Sequence, residues 1–391
     1  SSLYISFVVS TSNNSLLFTI IDENSQVNLK DIKIDDDDLE NRETNWQETI
    51  IDCVDVLGAQ PCLRHVCTTM QKELAKINDN ENSNSGGGVI NGNNWKIIES
   101  MLYAMNLMVS KIDNNENELM PWLSDAILRM PKLHGMKWAI IDFIGYSARW
   151  FAANPTLLPH YLAELSSLLQ VETFTIKSSL AIRSVLEKCR MVPSLPVVDM
   201  NNLIIAMRRS GTLPLAADNA ILEGICSIIS SLSQEDGDTS VIESLNVIAG
   251  SIVEDLNHAL IKKSEDKANG IEFESKKFSA IIDRLTTFLK YLQISNGNFT
   301  NFFATLWEPL KQTLSINRDS DNVCEKVCRA YKYTMRTMKK NFQPFLPAMC
   351  SHLTEEFCKQ PMAAFGEIHP AVLKHFGLSG PLVAFEVWPE T

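Results

Sequence analysis

The feature that most constrains this chain is a spacing. From residue 45 onward, apolar residues return every three or four positions almost without a break, and alternating strand-like runs are scarce. Ile221, Ile225, Ile228, Ile229 and Leu232 form one such face. Phe278, Ile281, Ile282, Leu285, Leu289 and Leu292 form another, and Ile182, Val185, Leu186 and Cys189 a third. Lys137–Phe151, taken as one helix, is apolar nearly all round, with Asp142 and Arg149 sharing a narrow polar strip; such a helix must be covered from more than one side. Breakers fall between these stretches, at Pro131, Pro155, Pro193 with Pro196, and Pro214. Segments opening near Asn94, Pro131 and Thr173 each accommodate two helices in roughly 40 residues, the length of a HEAT-type pair that buries its apolar faces only by stacking on neighbours. The expected fold class is all-α, a HEAT-type helical-repeat solenoid. A non-repetitive helical domain is the alternative that periodicity alone leaves open.

A chain of 391 residues is longer than one compact core usually grows, which agrees with an open-ended array. We divide it into a poorly defined segment with an acidic linker at 1–44, HEAT-like repeats at 45–359, and an atypical tail at 360–391. Asp35–Glu43 and Asn78–Asn94 have the composition of flexible insertions, because neither can bury enough apolar surface to offset its ordering entropy. Asp113–Glu118 reads as an ordinary helix–helix loop. Ser1–Ile21 is apolar and β-branched but interrupted over Ser10–Ser15, and it has no basic leader, so it is not read as a secretory signal. The chain is expected to begin inside a longer protein. No run of about 18 uninterrupted apolar residues predicts membrane insertion.

The formal net charge of −12 argues against a nucleic-acid-binding surface over the whole chain, so an anion would need a local basic face. The nine cysteines, an odd count spread through apolar helical patterns, read as reduced thiols. Cys324 and Cys328 sit four apart on one helical face but lack a nearby His to complete a tetrahedral metal site, so packing is the preferred role. His134, His160 and His258 stand apart from any nucleophile or acid at motif spacing. Trp122, Trp138, Trp150 and Trp307 lie on helices and read as core, not stacking platforms. No phosphate loop, dinucleotide fingerprint, zinc-protease motif or serine elbow is present, so no catalytic residue, metal ligand or cofactor is assigned and the chain is not read as an enzyme.

One helix carries a charge pattern worth testing. With about 100° per residue counted from Lys326, Arg329, Lys332 and Arg336 fall near 300°, 240° and 280°, and Lys339 and Lys340 near 220° and 320°. Cys324, Val327, Tyr331, Met335 and Met338 take the other side. Lys326, Arg329, Lys332, Arg336, Lys339 and Lys340 thus form a basic face, read as free of intervening carboxylates and expected to point away from the core, suited to an anionic ligand; a plain solvated face is the alternative. Arg208 and Arg209, before Gly211, are read as helix-terminal charges.

Several stretches carry a family likeness. Asn45-Trp46-Gln47 leads into Ile51-Asp52-Cys53-Val54-Asp55-Val56-Leu57-Gly58. Asn94-Trp95 opens a helix with Glu99-Ser100-Met101-Leu102-Tyr103-Ala104. Ile144-Gly145-Tyr146-Ser147-Ala148-Arg149-Trp150 precedes Asn154-Pro155, and Leu186-Glu187-Lys188-Cys189-Arg190 follows. In this order the chain resembles the importin-β superfamily of karyopherins, and within it the transportin-SR branch with its fungal messenger-RNA-transport-defective counterpart. The resemblance implies a receptor that shuttles between cytoplasm and nucleus. It would carry cargo past nuclear pore proteins and be unloaded by the Ran GTPase, whose binding repeats would lie upstream of this chain. It also implies that Lys326, Arg329, Lys332 and Arg336 match an arginine-rich helix that contacts phosphorylated arginine–serine-rich cargo. Two of the four are Lys here, which present point charges where Arg would offer a planar fork. The expected partner is a cargo protein with a phosphorylated or acidic segment, or an RNA-associated protein, with direct nucleic-acid binding left open.

The last 30 residues change character. Ala363–Pro370, Val372-Leu373-Lys374 and Gly380–Val387 suggest a loop, a short helix and a strand, and resemble the β chain of bacterial phenylalanyl-tRNA synthetase. A generic helical-repeat scaffold, or a fragment of such a synthetase chain, are the rival readings of the whole.

Overall fold

The computed structural model describes residues 3–10, 15–22, 39–83, 92–130, 133–192, 197–232, 239–268, 275–292, 298–357, 363–367 and 383–387. The chain divides into two units, Ser1–Leu165 and Ser166–Thr391.

The first unit opens with a hairpin. Strand β1 (Leu3–Ser10) pairs antiparallel with β2 (Ser15–Asp22), Leu3 opposite Asp22 and Ser10 opposite Ser15. The interruption seen at Ser10–Ser15 therefore separates two strands, an element that an all-α expectation does not contain. Helices α1 (Leu39–Leu57), α2 (Ala59–Ser83), α3 (Gly92–Val109), α4 (Leu119–Arg129), α5 (His134–Tyr146), α6 (Ala148–Ala153) and α7 (Leu158–Leu169) follow. Helix α3 packs on both α1 and α5, while α2 packs on α4, so the helices stack in two rows. Helical structure enters both stretches read as insertions: α1 starts at Leu39, α2 runs to Ser83 and α3 starts at Gly92. Residues 35–38 and 84–91 lie outside the described residues. Lys137–Phe151 is two helices, not one, divided at Ser147; Met136, Ala139, Ile140, Ile141, Phe143 and Ile144 of α5 are all buried, as an apolar circumference requires.

Asp113–Glu118 is more than a connector. Both carboxylate oxygens of the buried Glu116 accept from backbone N–H groups at the start of α4, at 2.7–3.1 Å from Glu118, Leu119 and Met120, satisfying donors that a helix start leaves unpaired. Its carbonyl accepts from Trp150 Nε1 at 2.8 Å, which ties the loop to α6 and explains why Trp150 is buried.

The second unit holds α8 (Thr175–Lys188), α9 (Val197–Ser210), α10 (Leu215–Leu232), α11 (Thr239–Ala268), α12 (Ser275–Tyr291), α13 (Asn298–Ile316), α14 (Asp321–Met338) and α15 (Leu346–Phe357), with a 3-10 segment Lys339–Phe345 before α15. Two rows recur. Helices α8, α10, α12 and α14 pack each on the next, and α9, α11, α13 and α15 do the same. This is the alternating stack of a helical-repeat solenoid. The faces read from spacing are the packed ones: Ile221, Ile225, Ile228 and Ile229 on α10, and Phe278, Ile282, Leu285 and Leu289 on α12, are buried. Each such side chain contributes about 1.5–3 kcal/mol by leaving water.

Two glycines have local reasons. A Cβ on Gly224 would stand 3.0 Å from the Leu186 side chain and 3.2 Å from the Arg183 backbone, so its absence allows α8 and α10 to approach closely. Gly211 ends α9 at φ +72, and Thr212 N–H reaches back to the Met207 carbonyl at 3.0 Å, closing the helix end. In the tail, β3 (Ala363–Glu367) pairs antiparallel with β4 (Val383–Val387), so strand structure there pairs within the tail itself. Residues 368–382, where a short helix is expected, lie outside the described residues.

Candidate anion-binding helix

Helix α14 forms because its apolar and polar residues separate cleanly by helical spacing. Val323, Cys324, Val327, Ala330, Tyr331, Thr334, Thr337 and Met338 are buried against α12 and α13. Beside them Phe303, Trp307, Phe342 and Phe345 form an aromatic cluster with ring centroids 5.1–6.4 Å apart, with Tyr331 5.7 Å from Trp307. Trp307 is thus packing, as read. Burial raises the Cys324 thiol to about 11 and Cys328 to about 12, which leaves both as protonated packing groups at neutral pH. Cys324 Sγ donates to the Asn317 carbonyl at 3.4 Å.

The six cations are not equivalent. Lys326 does not face away from the core: its side chain is 16% exposed, and Nζ is 2.6 Å from Asp283 and 2.5 Å from Ser279 Oγ, both on α12. Arg329 is exposed but paired with Glu325 one turn earlier on the same helix. Arg336 donates from Nη2 to the carbonyl of Lys290 and lies 5.1 Å from the Tyr333 ring. Beside it Thr337 Oγ1 contacts the Leu289 and Leu292 carbonyls at 3.3 and 3.2 Å. Together they satisfy the carbonyls at the end of α12, where the negative end of its dipole also favours a cation. Lys332, Lys339 and Lys340 are exposed.

The sequence reading needs correction in two respects. The basic face is not free of carboxylates, since Glu325 lies at about 260° on the same wheel, in the middle of the cations. The wheel carries that signal, whereas Asp283 comes from another helix and leaves none. Of the six cations expected to face outward, Lys326 is held between helices, Arg329 is paired along the helix, Arg336 caps a neighbour, and Lys332, Lys339 and Lys340 are exposed.

Lys339 has a further property. Its backbone sits at φ 50, ψ −121, which a side chain with a Cβ disfavours, at a cost of order 1–3 kcal/mol. Glycine would suit this helix end better.

A basic residue that the periodicity does not mark stands beside this surface. Lys290, the exposed penultimate residue of α12, donates from Nζ to Tyr291 Oη at 3.1 Å and lies 4.6 Å over that ring. The hydrogen bond to Tyr291 holds its ammonium above the usual pKa, and Arg336 joins its carbonyl to α14.

Elsewhere in the second unit, cations serve the fold. Arg208 is not a surface charge at a helix end. Its side chain is 7% exposed and grips Asp218 of α10 through Nε at 2.8 Å and Nη2 at 2.5 Å. Arg284 of α12 reaches the same carboxylate at 2.9 Å and Asp255 of α11 at 3.1 Å. Burial lowers the Arg284 pKa, opposed by the charge of Asp218. The Arg209 side chain lies outside the described residues. His134, His160 and His258 are exposed. Among the described residues no group of three or more His, Cys, Asp or Glu is placed to hold a metal ion, and no helix is long and apolar enough to cross a membrane.

Comparison with known proteins places this helix in context. The family described as the Transportin-3/Importin-13 fourth TPR domain matches residues 299–378, which include all of α14 and α15 and all but the first residue of α13. The match runs on into the tail, to residue 378. An uncharacterized protein of Schizosaccharomyces pombe is 21% identical over 366 residues, covering 91% of this chain and 36% of the relative. Importin-13 of Gallus gallus is 19% identical over 290 residues, covering 69% of this chain and 29% of the relative. A solved structure described as importin13 in its cytosolic state superposes with a TM-score of 0.65 at 16% identity, over 85% of this chain and 37% of that one. The chain therefore spans about a third of the length of the proteins it matches. The named relatives are transport receptors, not enzymes. The likenesses agree on an all-α helical-repeat solenoid, and over residues 299–378 the chain matches the Transportin-3/Importin-13 family.

Proposed function

We propose that this chain is a cargo-holding segment of a nuclear transport receptor that moves between cytoplasm and nucleus, and that α14 presents a basic surface to an anionic stretch of its cargo. The observation that supports this most is the concentration of Lys332, Arg336, Lys339 and Lys340 at one end of a helix inside the matched 299–378 stretch, in a chain of net charge −12. A basic surface in an acidic protein attracts anions locally without general affinity for polyanions. The cargo segment would be phosphorylated or otherwise acidic, as in arginine–serine-rich or RNA-associated proteins. In the full-length receptor, the Ran GTPase would release that cargo and nuclear pore proteins would be the route. Titration of fluorescent arginine–serine-rich peptides, phosphorylated and unphosphorylated, into the 391-residue chain tests the reading. The phosphorylated peptide is expected to bind more tightly, with affinity falling as salt rises. Equal or absent binding of both peptides would overturn it.

A further inference from the structure

We infer that the anion is held by Lys332 of α14, by Lys339 and Lys340 on the 3-10 segment that follows it, and by Lys290 of α12, and not by the arginines; this rests on the function proposed above. The argument is one of availability. An anion arriving at Lys326 must compete with Asp283 at 2.6 Å, inside a contact that also joins α12 to α14. One arriving at Arg329 must compete with Glu325. Arg336 has spent part of its guanidinium on the Lys290 carbonyl, so it is not a free planar fork. Lys332, Lys339 and Lys340 are exposed and, among the described residues, carry none of these contacts.

Geometry brings in Lys290. Arg336 binds its backbone, so the Lys290 ammonium emerges next to Arg336 from the adjoining helix, steadied on Tyr291. The resulting surface spans two helices and includes the half-buried rings of Tyr291 and Tyr333. The carboxylate that acts on Lys290 is Glu223 of α10, whose side chain is 16% exposed and held 2.9 Å from Arg183, so it leaves the lysine to an incoming anion. Lysines offer point charges with rotatable donors instead of a bidentate fork. The ligand class is therefore a run of several negative charges on an extended peptide, read by charge density more than by the shape of one phosphoryl group. Aspartate should substitute for phosphoserine with modest loss.

Lys339 gives the proposal its sharpest handle, because its backbone at φ 50 makes Lys339→Gly stabilising if the residue serves the fold alone.

The experiment measures anisotropy of three labelled peptides of one length, carrying several phosphoserines, aspartates or unmodified serines, with the full chain at low and moderate salt. Four variants are compared with the parent: Lys332→Gln with Lys340→Gln, Lys339→Gly, Lys290→Gln, and Arg329→Gln. Each lysine removed is expected to weaken both acidic peptides roughly two- to five-fold, and the double variant roughly ten-fold. Lys339→Gly should raise the melting temperature while weakening binding. Arg329→Gln should change affinity by less than about two-fold. If the parent binds the acidic peptides and the lysine variants match it, the assignment fails while the proposed function stands. Selective loss in Arg329→Gln has the same meaning. If the parent ignores both acidic peptides, the assignment and the function proposed for the helix fall together.

Discussion

The two halves of α14 each carry two cations and put them to different use. Toward its start, Lys326 and Arg329 are both answered by carboxylates, Asp283 across the helix interface and Glu325 along the helix. Toward its end and on the 3-10 segment just beyond it, Lys332, Lys339 and Lys340 are exposed with no such partner among the described residues, and Arg336 is committed to the end of α12. A helical wheel separates the halves only by Glu325, which falls among the cations. The rest of the difference comes from where neighbouring helices place their carboxylates and carbonyls. Lys326 therefore belongs to the energetics of stacking and Arg329 to its own helix, whereas Lys332, Lys339 and Lys340 belong to the surface.

That contrast can be broken at its strongest point. Asp218 lies between Arg208 and Arg284 and is the most committed carboxylate of the second unit, 2% exposed. Asp218→Ala would leave buried guanidinium charge uncompensated, and we expect a loss of about 3–5 kcal/mol in urea unfolding. An Asp218→Ala chain as stable as the parent would mean that cations in this unit are not held as described.

A smaller loss should follow at Lys326. Replacing it with Met keeps the aliphatic stem but removes the contacts to Asp283 and Ser279, and should cost about 1–2 kcal/mol in the same assay. Lys332→Gln, by comparison, should stay within about 0.5 kcal/mol of the parent. Equal effects of the two would erase the distinction between the halves.

The smallest effect should carry the opposite sign. Glu325→Gln removes the exposed partner of Arg329, extends the free basic surface by one residue, and should tighten binding of an acidic peptide about two-fold, read by anisotropy at low salt. Weaker binding would show that Glu325 orders the surface and does not mask it.

The fold was legible because stacked helices repeat one simple demand, an apolar face at helical spacing. Phe278, Ile282, Leu285 and Leu289 satisfy it, and all four are buried. The hairpin of β1 and β2 was less legible, since an apolar, β-branched run with a polar break does not by itself state its pairing. The Glu116 loop hid its role for a related reason: a carboxylate three residues before a helix looks like any loop residue until the N–H groups it serves are located. For the candidate site, the helix and its basic residues were readable, and so was Glu325 by its angle. Asp283, the carbonyl of Lys290 and the Arg208–Asp218–Arg284 group were not, because each partner lies on another helix, at separations from 10 to 66 residues that a wheel cannot register. Arg208 looked like a terminal charge for that reason and proved to be a buried one.

The difference between the halves of α14 can be read on the lysines themselves. Brief acetylation of the full chain, with peptide mapping by mass spectrometry, should modify Lys332, Lys339 and Lys340 quickly and Lys326 slowly, since Lys326 is 16% exposed and paired. Repeated with a saturating peptide rich in phosphoserine, the labelling of Lys332, Lys339, Lys340 and Lys290 should fall several-fold while that of Lys326 stays as it was. Protection confined to Lys326, or a Lys326 that reacts as fast as Lys332 in the free chain, would contradict the account.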